Sequence, residues 1–247
     1  MPVIIPETLP AKTKLESENI FVMGEKRATS QDILPLQLAI LNLMPTKIST
    51  ETQILRLLAN TDLQVEVTLL HTSSHKSKNT SAEHLLTHYS TLNEVRDKKY
   101  DGLIITGAPV EHLDFEEVDY WEELTEFFDW SNTNAHATFN ICWAAQASLY
   151  HRYGIPKYPI PKKMFGVFQH RKLIQNELLM LGFDDTFYAP HSRHTEVRRI
   201  DIESKPDLAL LSDSTEAGVY ILASKNRRNI YITGHSEYDP LTLRGEY

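Results

Sequence analysis

The chain has 247 residues, 41% hydrophobic and 23% charged, with a formal net charge of -8 and a single cysteine. It is long enough for one large α/β domain with a substantial core. The acidic balance excludes a broad nucleic-acid-binding stripe, and one cysteine excludes an intrachain disulfide framework. No apolar run approaches the roughly 20 residues that span a bilayer, and the first residues lack a basic region followed by a long apolar core. No membrane and no nucleic-acid partner are expected, and the cytoplasm is the expected compartment.

Residues 1–35 hold several prolines and few periodic apolar positions, which predicts an irregular N-terminal arm. Residues 36–247 are expected to form a single α/β domain. The β-rich run 36–44 predicts a buried strand, and residues 49–60 an amphipathic helix with Ser49 as its capping residue and Ile54, Leu57 and Leu58 on its apolar face. A second strand is expected at 63–70, then a polar surface loop over 71–82. Residues 100–109 read as a strand ending in a glycine turn, and 119–130 as an acidic helix presenting Trp121, Leu124, Phe127 and Phe128 on one side.

Residues 137–141 favour a strand and residues 144–150 a helix, with Cys142 at the junction. This is the layout of a nucleophile elbow, in which the reactive side chain projects from a tight strand-to-helix turn. Ala144 supplies a small residue after the thiol. Asn140 stands where many elbows have glycine, and asparagine tolerates unusual backbone angles. Unpaired N–H groups at a helix start also stabilise negative charge on sulfur.

Alternating strands and helices over the first 150 residues imply a mainly parallel sheet with helices on both faces, flavodoxin-like in class, followed by a β-richer second half. Sites in such sheets lie at the strand carboxyl ends. There Cys142, the 106–109 turn and the 42–47 turn can share one crevice. Residues 157–168 are proline-rich and basic, 184–197 and 208–223 look like strands and turns, and 228–234 is a last clear strand.

Just past that strand lie His235 and Glu237. Two residues apart on an extended segment, they point the same way, so the carboxylate can orient the imidazole. Acyl transfer through a thiol needs this set: a nucleophile, a base and a group holding the base. His191, His194 and Glu196 match no common zinc spacing, and Arg193 would sit beside a cation, so no metal is assigned. No Walker-type loop or dinucleotide glycine fingerprint occurs.

The strings Leu-Asn-Leu-Met-Pro-Thr-Lys (41–47), Thr-Gly-Ala-Pro (106–109), Phe-Glu-Glu-Val-Asp-Tyr-Trp (115–121), Asn-Ile-Cys-Trp-Ala-Ala-Gln (140–146), Phe-Gly-Val-Phe (165–168), His-Ser-Arg-His-Thr-Glu-Val (191–197) and Gly-His-Ser-Glu-Tyr (234–238) are collinear over nearly the whole chain. Together they resemble the homoserine O-succinyltransferase and O-acetyltransferase family of methionine biosynthesis. The resemblance implies a fold similar to class I glutamine amidotransferases and a ping-pong acyl transfer from acyl-CoA to the γ-hydroxyl of L-homoserine. The acyl-CoA is a co-substrate, and no separate cofactor is implied.

By the family pattern Cys142 is the acyl-thioester nucleophile, His235 the proton acceptor and Glu237 its partner. Lys163 and Ser192 match substrate-binding positions, and Lys47 is a further candidate contact for coenzyme A or a carboxylate. The backbone N–H groups of Trp143 and Ala108 are candidates for an oxyanion hole. Glu111 occupies the position that resembles a donor switch, glycine accompanying succinyl-CoA and glutamate accompanying acetyl-CoA, so acetyl-CoA is the expected donor. In the family the sequence continues past residue 247 with an arginine that resembles a substrate ligand. A protein ending at Tyr247 would make L-serine a rival acceptor. A glutaminase-like amidohydrolase and a non-enzymatic binding module are the alternatives of other classes, and a homodimer is left open.

Overall fold

A computed structural model describes residues 3–75 and 79–246. In chain order the elements are β1 (Val3–Ile5), α1 (Pro10–Ser17), β2 (Val22–Gly24), α2 (Glu25–Ala28), β3 (Leu36–Leu41), α3 (Lys47–Leu58), β4 (Val65–Leu70), α4 (Ala82–His88), β5 (Tyr89–Ser90), α5 (Leu92–Val95) and β6 (Tyr100–Ile105). The chain continues through α6 (Trp121–Asn134), β7 (Ala135–Ile141), α7 (Trp143–Tyr153), β8 (Tyr158–Lys172), β9 (Thr186–Glu196), α8 (Arg199–Glu203), β10 (Leu208–Ser214), β11 (Gly218–Ser224), β12 (Asn229–Ile232) and α9 (Thr242–Glu246). One sheet runs β2-β1-β4-β3-β6-β7-β12-β11-β10-β8-β9, with β5 added to β4.

From β2 to β12 the neighbours are parallel, and from β12 to β9 they are antiparallel. The expected architecture, parallel first and β-richer afterwards, is therefore present as one mixed sheet. Period-two alternation divides the parallel half between two faces. Leu41, Leu103 and Ile105 pack with Leu124, Phe127 and Phe128 of α6 and Trp143 of α7. Ile40 and Leu69 pack on the other face with Leu15 of α1 and with Ile54 and Leu55 of α3. Phe127 and Phe128 are fully buried, each worth about 2–3 kcal/mol of hydrophobic stabilisation.

Residues 3–35 are not an irregular arm, and residues 1–2 lie outside the described residues. Val3–Ile5 pairs with both β2 and β4, and Leu9, Ala11 and Leu15 join the core. Three-residue strands carry too little periodicity to be read locally, and here they are held by long-range pairing. Helix α3 begins at Lys47, with Thr46 at its N-cap and no side-chain cap bond, so Ser49 lies inside the helix instead of capping it. Leu57 is about half exposed. The loop expected over 71–82 lies outside helices and strands up to α4 in the residues described, tied down by hydrogen bonds such as Ser73 and Ser74 N–H to Glu123, with 76–78 lying outside them.

The proline-rich segment after α7 forms β8, which pairs with β9 from Tyr158↔Glu196 to Arg171↔Thr186 as a long antiparallel arm. Between Pro159↔Thr195 and Met164↔Arg193 the register shifts, with four residues of β8 facing one of β9. Such bulges re-aim side chains. Registers Leu41↔Ile105, Ile105↔Asn140 and Ile141↔Ile232 align the carboxyl ends of β3, β6, β7 and β12. The segments that follow these strands consequently meet at one edge.

Candidate active site

Cys142 sits between the end of β7 and the start of α7 with φ 50° and ψ -113°. A non-glycine residue with φ in this range stores strain of about 1–3 kcal/mol. The strain is held by a hydrogen bond from the Cys142 N–H to the Ile232 carbonyl at 2.7 Å and by full burial of Ala144 and Trp143 behind it. Asn140 does not take up unusual backbone angles. It lies within β7, and its Nδ2 donates to Ile230 O of β12 at 3.1 Å and to Thr138 Oγ1 at 3.2 Å. Its amide clamps the two strands that carry the site, and the thiol residue bears the bend.

His235 follows β12, with its N–H bonded to Pro190 O at 2.9 Å. Its Nδ1 is 2.7 Å from Glu237 Oε1. The segment turns at 236–237 instead of remaining extended, yet the two side chains meet as expected. Both are buried, and Glu237 Oε2 has no hydrogen-bond partner among the described residues. Burial opposes the charged imidazole, but the negative charges of Cys142 and Glu237 and hydrogen bonds to both outweigh it, holding His235 well above its ordinary value. The charged imidazolium is thereby favoured at His235.

Gly107 closes the group from the β6 side. A Cβ there would lie 3.3 Å from Cys142 Cβ and 3.8 Å from His235 Cε1. Ala108 lines the cavity, and Trp143, as the first residue of α7, has an N–H outside the helical ladder. The Tyr238 ring stacks on His235 with centroids 4.2 Å apart, and its hydroxyl donates to Glu246 Oε1 at 2.6 Å. Sequence reasoning misses Tyr238 as a site residue, although it is the last residue of the Gly-His-Ser-Glu-Tyr string.

These groups open on a cavity of about 380 Å³ whose walls include Met44, Ala108, Glu111, Lys163, Ser192 and His194. Glu111 is 9% exposed, with Oε1 4.0 Å from Cys142 Sγ and Oε2 accepting the His194 N–H at 2.9 Å. Burial pushes its carboxyl up, against the pull of that N–H and of nearby positive charge. Lys163 leaves the β8 bulge with its Nζ 4.8 Å from the Phe165 ring centroid, and Ser192 lies on β9 opposite Phe165.

Lys47 does not line this cavity. It is 7% exposed, its Nζ donates to Asn42 O and Met44 O, and burial pushes it down to about 8. It ties the 42–46 turn, including the cavity wall at Met44, instead of reaching for a ligand. His191 and His194 have separate surroundings. The first is buried with Nε2 3.0 Å from His170 Nε2, and the second packs against His112 with ring centroids 4.6 Å apart. Among the described residues no three His, Cys, Asp or Glu side chains are grouped to hold a metal. No helix among them is long and apolar enough to cross a membrane.

Solved structures with a similar fold include a glutamine amidotransferase of Thermotoga maritima, with TM-score 0.59 and 10% identity over 83% of this chain and 77% of that one. The glutaminase domain of Trypanosoma brucei CTPS gives 0.54 and 10% over 83% and 87%. At these identities the likeness concerns the fold, which is that of class I glutamine amidotransferases. Among curated proteins, the homoserine O-acetyltransferase of Acetivibrio thermocellus is 62% identical over all 247 residues, covering 81% of its own length. That of Brevibacillus brevis is 60% identical, again over the whole chain and 81% of the relative. A family model described as homoserine O-succinyltransferase matches residues 2–247. On that match and these identities, the chain belongs to the homoserine O-succinyltransferase family.

Proposed function

We propose that this protein transfers an acetyl group from acetyl-CoA to the γ-hydroxyl of L-homoserine through a thioester on Cys142. One observation carries this above the rest: Glu111 Oε1 lies 4.0 Å from the nucleophilic sulfur. In an acyl-enzyme the carbons beyond the thioester carbonyl occupy that region. The two-carbon acetyl group fits beside a carboxylate, whereas the distal carboxylate of a succinyl group would face a like charge. Two such charges about 4 Å apart repel by roughly 4 kcal/mol at an effective dielectric of 20, close to a thousandfold in rate. The relatives named homoserine O-acetyltransferase support the same donor and acceptor.

The chemistry follows from the geometry. His235 holds the proton taken from Cys142, and the sulfur attacks the acetyl carbonyl. N–H groups of Trp143 and Ala108 receive the developing oxyanion. Coenzyme A leaves as its thiol, protonated by His235. Homoserine then enters, His235 takes the proton of its hydroxyl, and that oxygen attacks the thioester to release O-acetylhomoserine and restore the thiol. Glu237 keeps the Nδ1 proton in place throughout, so that Nε2 does the transfer. Lys163 offers a positive charge for the acceptor carboxylate or the coenzyme, and Ser192 a small hydrogen-bonding wall.

Mixing the protein with acetyl-CoA alone should add one acetyl group by intact-protein mass spectrometry, with none on Cys142→Ala. Turnover retained by Cys142→Ala without any adduct refutes the covalent route. Acetyl-CoA and succinyl-CoA assayed against homoserine and serine test donor and acceptor together, and glutamine hydrolysis independent of coenzyme A would favour an amidohydrolase.

A further inference from the structure

Lys157 lies between the left-handed C-cap Gly154 of α7 and the start of β8. It has no part in the proposed transfer and does not line the catalytic cavity. Its half-buried Nζ donates to the Glu111 carbonyl at 2.7 Å and also to the Leu113 carbonyl, and sits 4.7 Å from the centroid of the Phe115 ring. All three contacts fall on one short segment, 111–115. That segment has few bonds of its own near its start, the Leu113 N–H to Val110 O bond at 3.1 Å being one.

The side chain of Glu111 is fixed from the opposite direction, by the His194 N–H on β9 at 2.9 Å. Main chain and carboxylate are thereby held from two sides, Lys157 gripping the backbone and β9 gripping the tip. A carboxylate discriminates against a charged acyl group only while it stays near the sulfur, because a turn free to swing would let the two like charges separate. Hydrogen bonds from a charged donor to main-chain carbonyls are among the stronger ones available for fixing a loop.

We propose that Lys157 is a positioning residue for acyl-donor selection, locking the 111–113 turn so that the Glu111 carboxylate remains beside Cys142. This rests on the proposed preference for acetyl-CoA. In its absence the preference for acetyl-CoA over succinyl-CoA weakens, because specificity is a difference between two transition-state energies and only the succinyl one depends on where Glu111 sits.

The test measures kcat/KM with each donor, at saturating homoserine, for the wild type, Lys157→Met, Lys157→Arg, Glu111→Gln and the Lys157→Met/Glu111→Gln double variant. The acetyl-to-succinyl ratio should fall about tenfold in Lys157→Met through a gain with succinyl-CoA. Arginine can donate to both carbonyls and should keep the ratio within about threefold of wild type. In the Glu111→Gln background, removing Lys157 should change the ratio no further, since its effect passes through that carboxylate. Methionine retains the alkyl stem over Phe115; if it does not fold, Lys157→Gln takes its place, with the same expected direction. An unchanged ratio in a folded Lys157 variant, or the same fall with and without Glu111, overturns the inference. A wild type that uses both donors equally overturns instead the assignment of Glu111 on which it rests.

Discussion

Replacing Glu237 by glutamine tests the proposed catalytic group most directly, because it removes one charge and keeps the shape. In the wild type Glu237 Oε1 is 2.7 Å from His235 Nδ1, and both side chains are buried. With charge centres about 4 Å apart and an effective dielectric near 20, the carboxylate stabilises the imidazolium by roughly 4 kcal/mol. A glutamine can also present its N–H₂ to Nδ1, which turns the proton toward Nε2 and leaves the thiol without an acceptor. Acylation should therefore slow by about 10³-fold to 10⁴-fold.

The pH dependence has a defined sign. His235 is raised well above its usual value because the attraction of Cys142 and Glu237 overcomes burial. Without the Glu237 charge the imidazolium loses its proton at lower pH, so the alkaline limb of the acylation profile moves down. Single-turnover release of coenzyme A, followed as free thiol across pH, measures both effects. A variant within tenfold of the wild type, or an alkaline limb that moves up, would refute the assignment of Glu237.

Gly107→Ala places a Cβ 3.3 Å from Cys142 Cβ and 3.6 Å from Ile141 O. The sulfur must shift by a few tenths of an ångström, so kcat/KM should fall about tenfold while stability changes by less than about 1 kcal/mol, and wild-type kinetics in this variant would show the close approach to be unimportant. Burial pushes Lys47 from 10.5 down to about 8, so between those values the unfolded chain binds more protons than the folded one, and the contribution of Lys47 to stability rises with pH. Urea unfolding of wild type against Lys47→Met should show the difference growing by up to about 3 kcal/mol across that window, whereas parallel stability curves would contradict it.

The proposed reacting groups are legible in the sequence because each is written in a short string: a strand-to-helix junction around Cys142, and His235 two residues from Glu237 after a strand. What escapes depends on contacts between distant segments. The strand Val3–Ile5 is held by β2 and β4, and β8 is interrupted at Pro159 and Pro161, which obscures its alternation. A lysine beside a turn reads as solvated, and only the carbonyls of Asn42 and Met44 and the packing above them explain why Lys47 points inward. Analogy with glycine puts Asn140 at the bend, but its amide reaches Ile230 across the sheet, a contact that no local pattern encodes. Lys157 is silent in the sequence for the same reason, since its partners lie more than forty residues away.

β12 has a parallel neighbour on one side, β7, and an antiparallel neighbour on the other, β11. The thiol and the imidazole leave adjacent strands at this junction, so main-chain pairing sets the spacing of the segments that carry them. Lys163 and Ser192 ride on the outlying hairpin of β8 and β9, and Glu111 on a separate turn. The hairpin also touches the transfer machinery, since Pro190 of β9 accepts the His235 N–H, so single replacements at Lys163, Ser192 or Glu111 are the changes expected to alter the acyl donor or alcohol while the transfer continues.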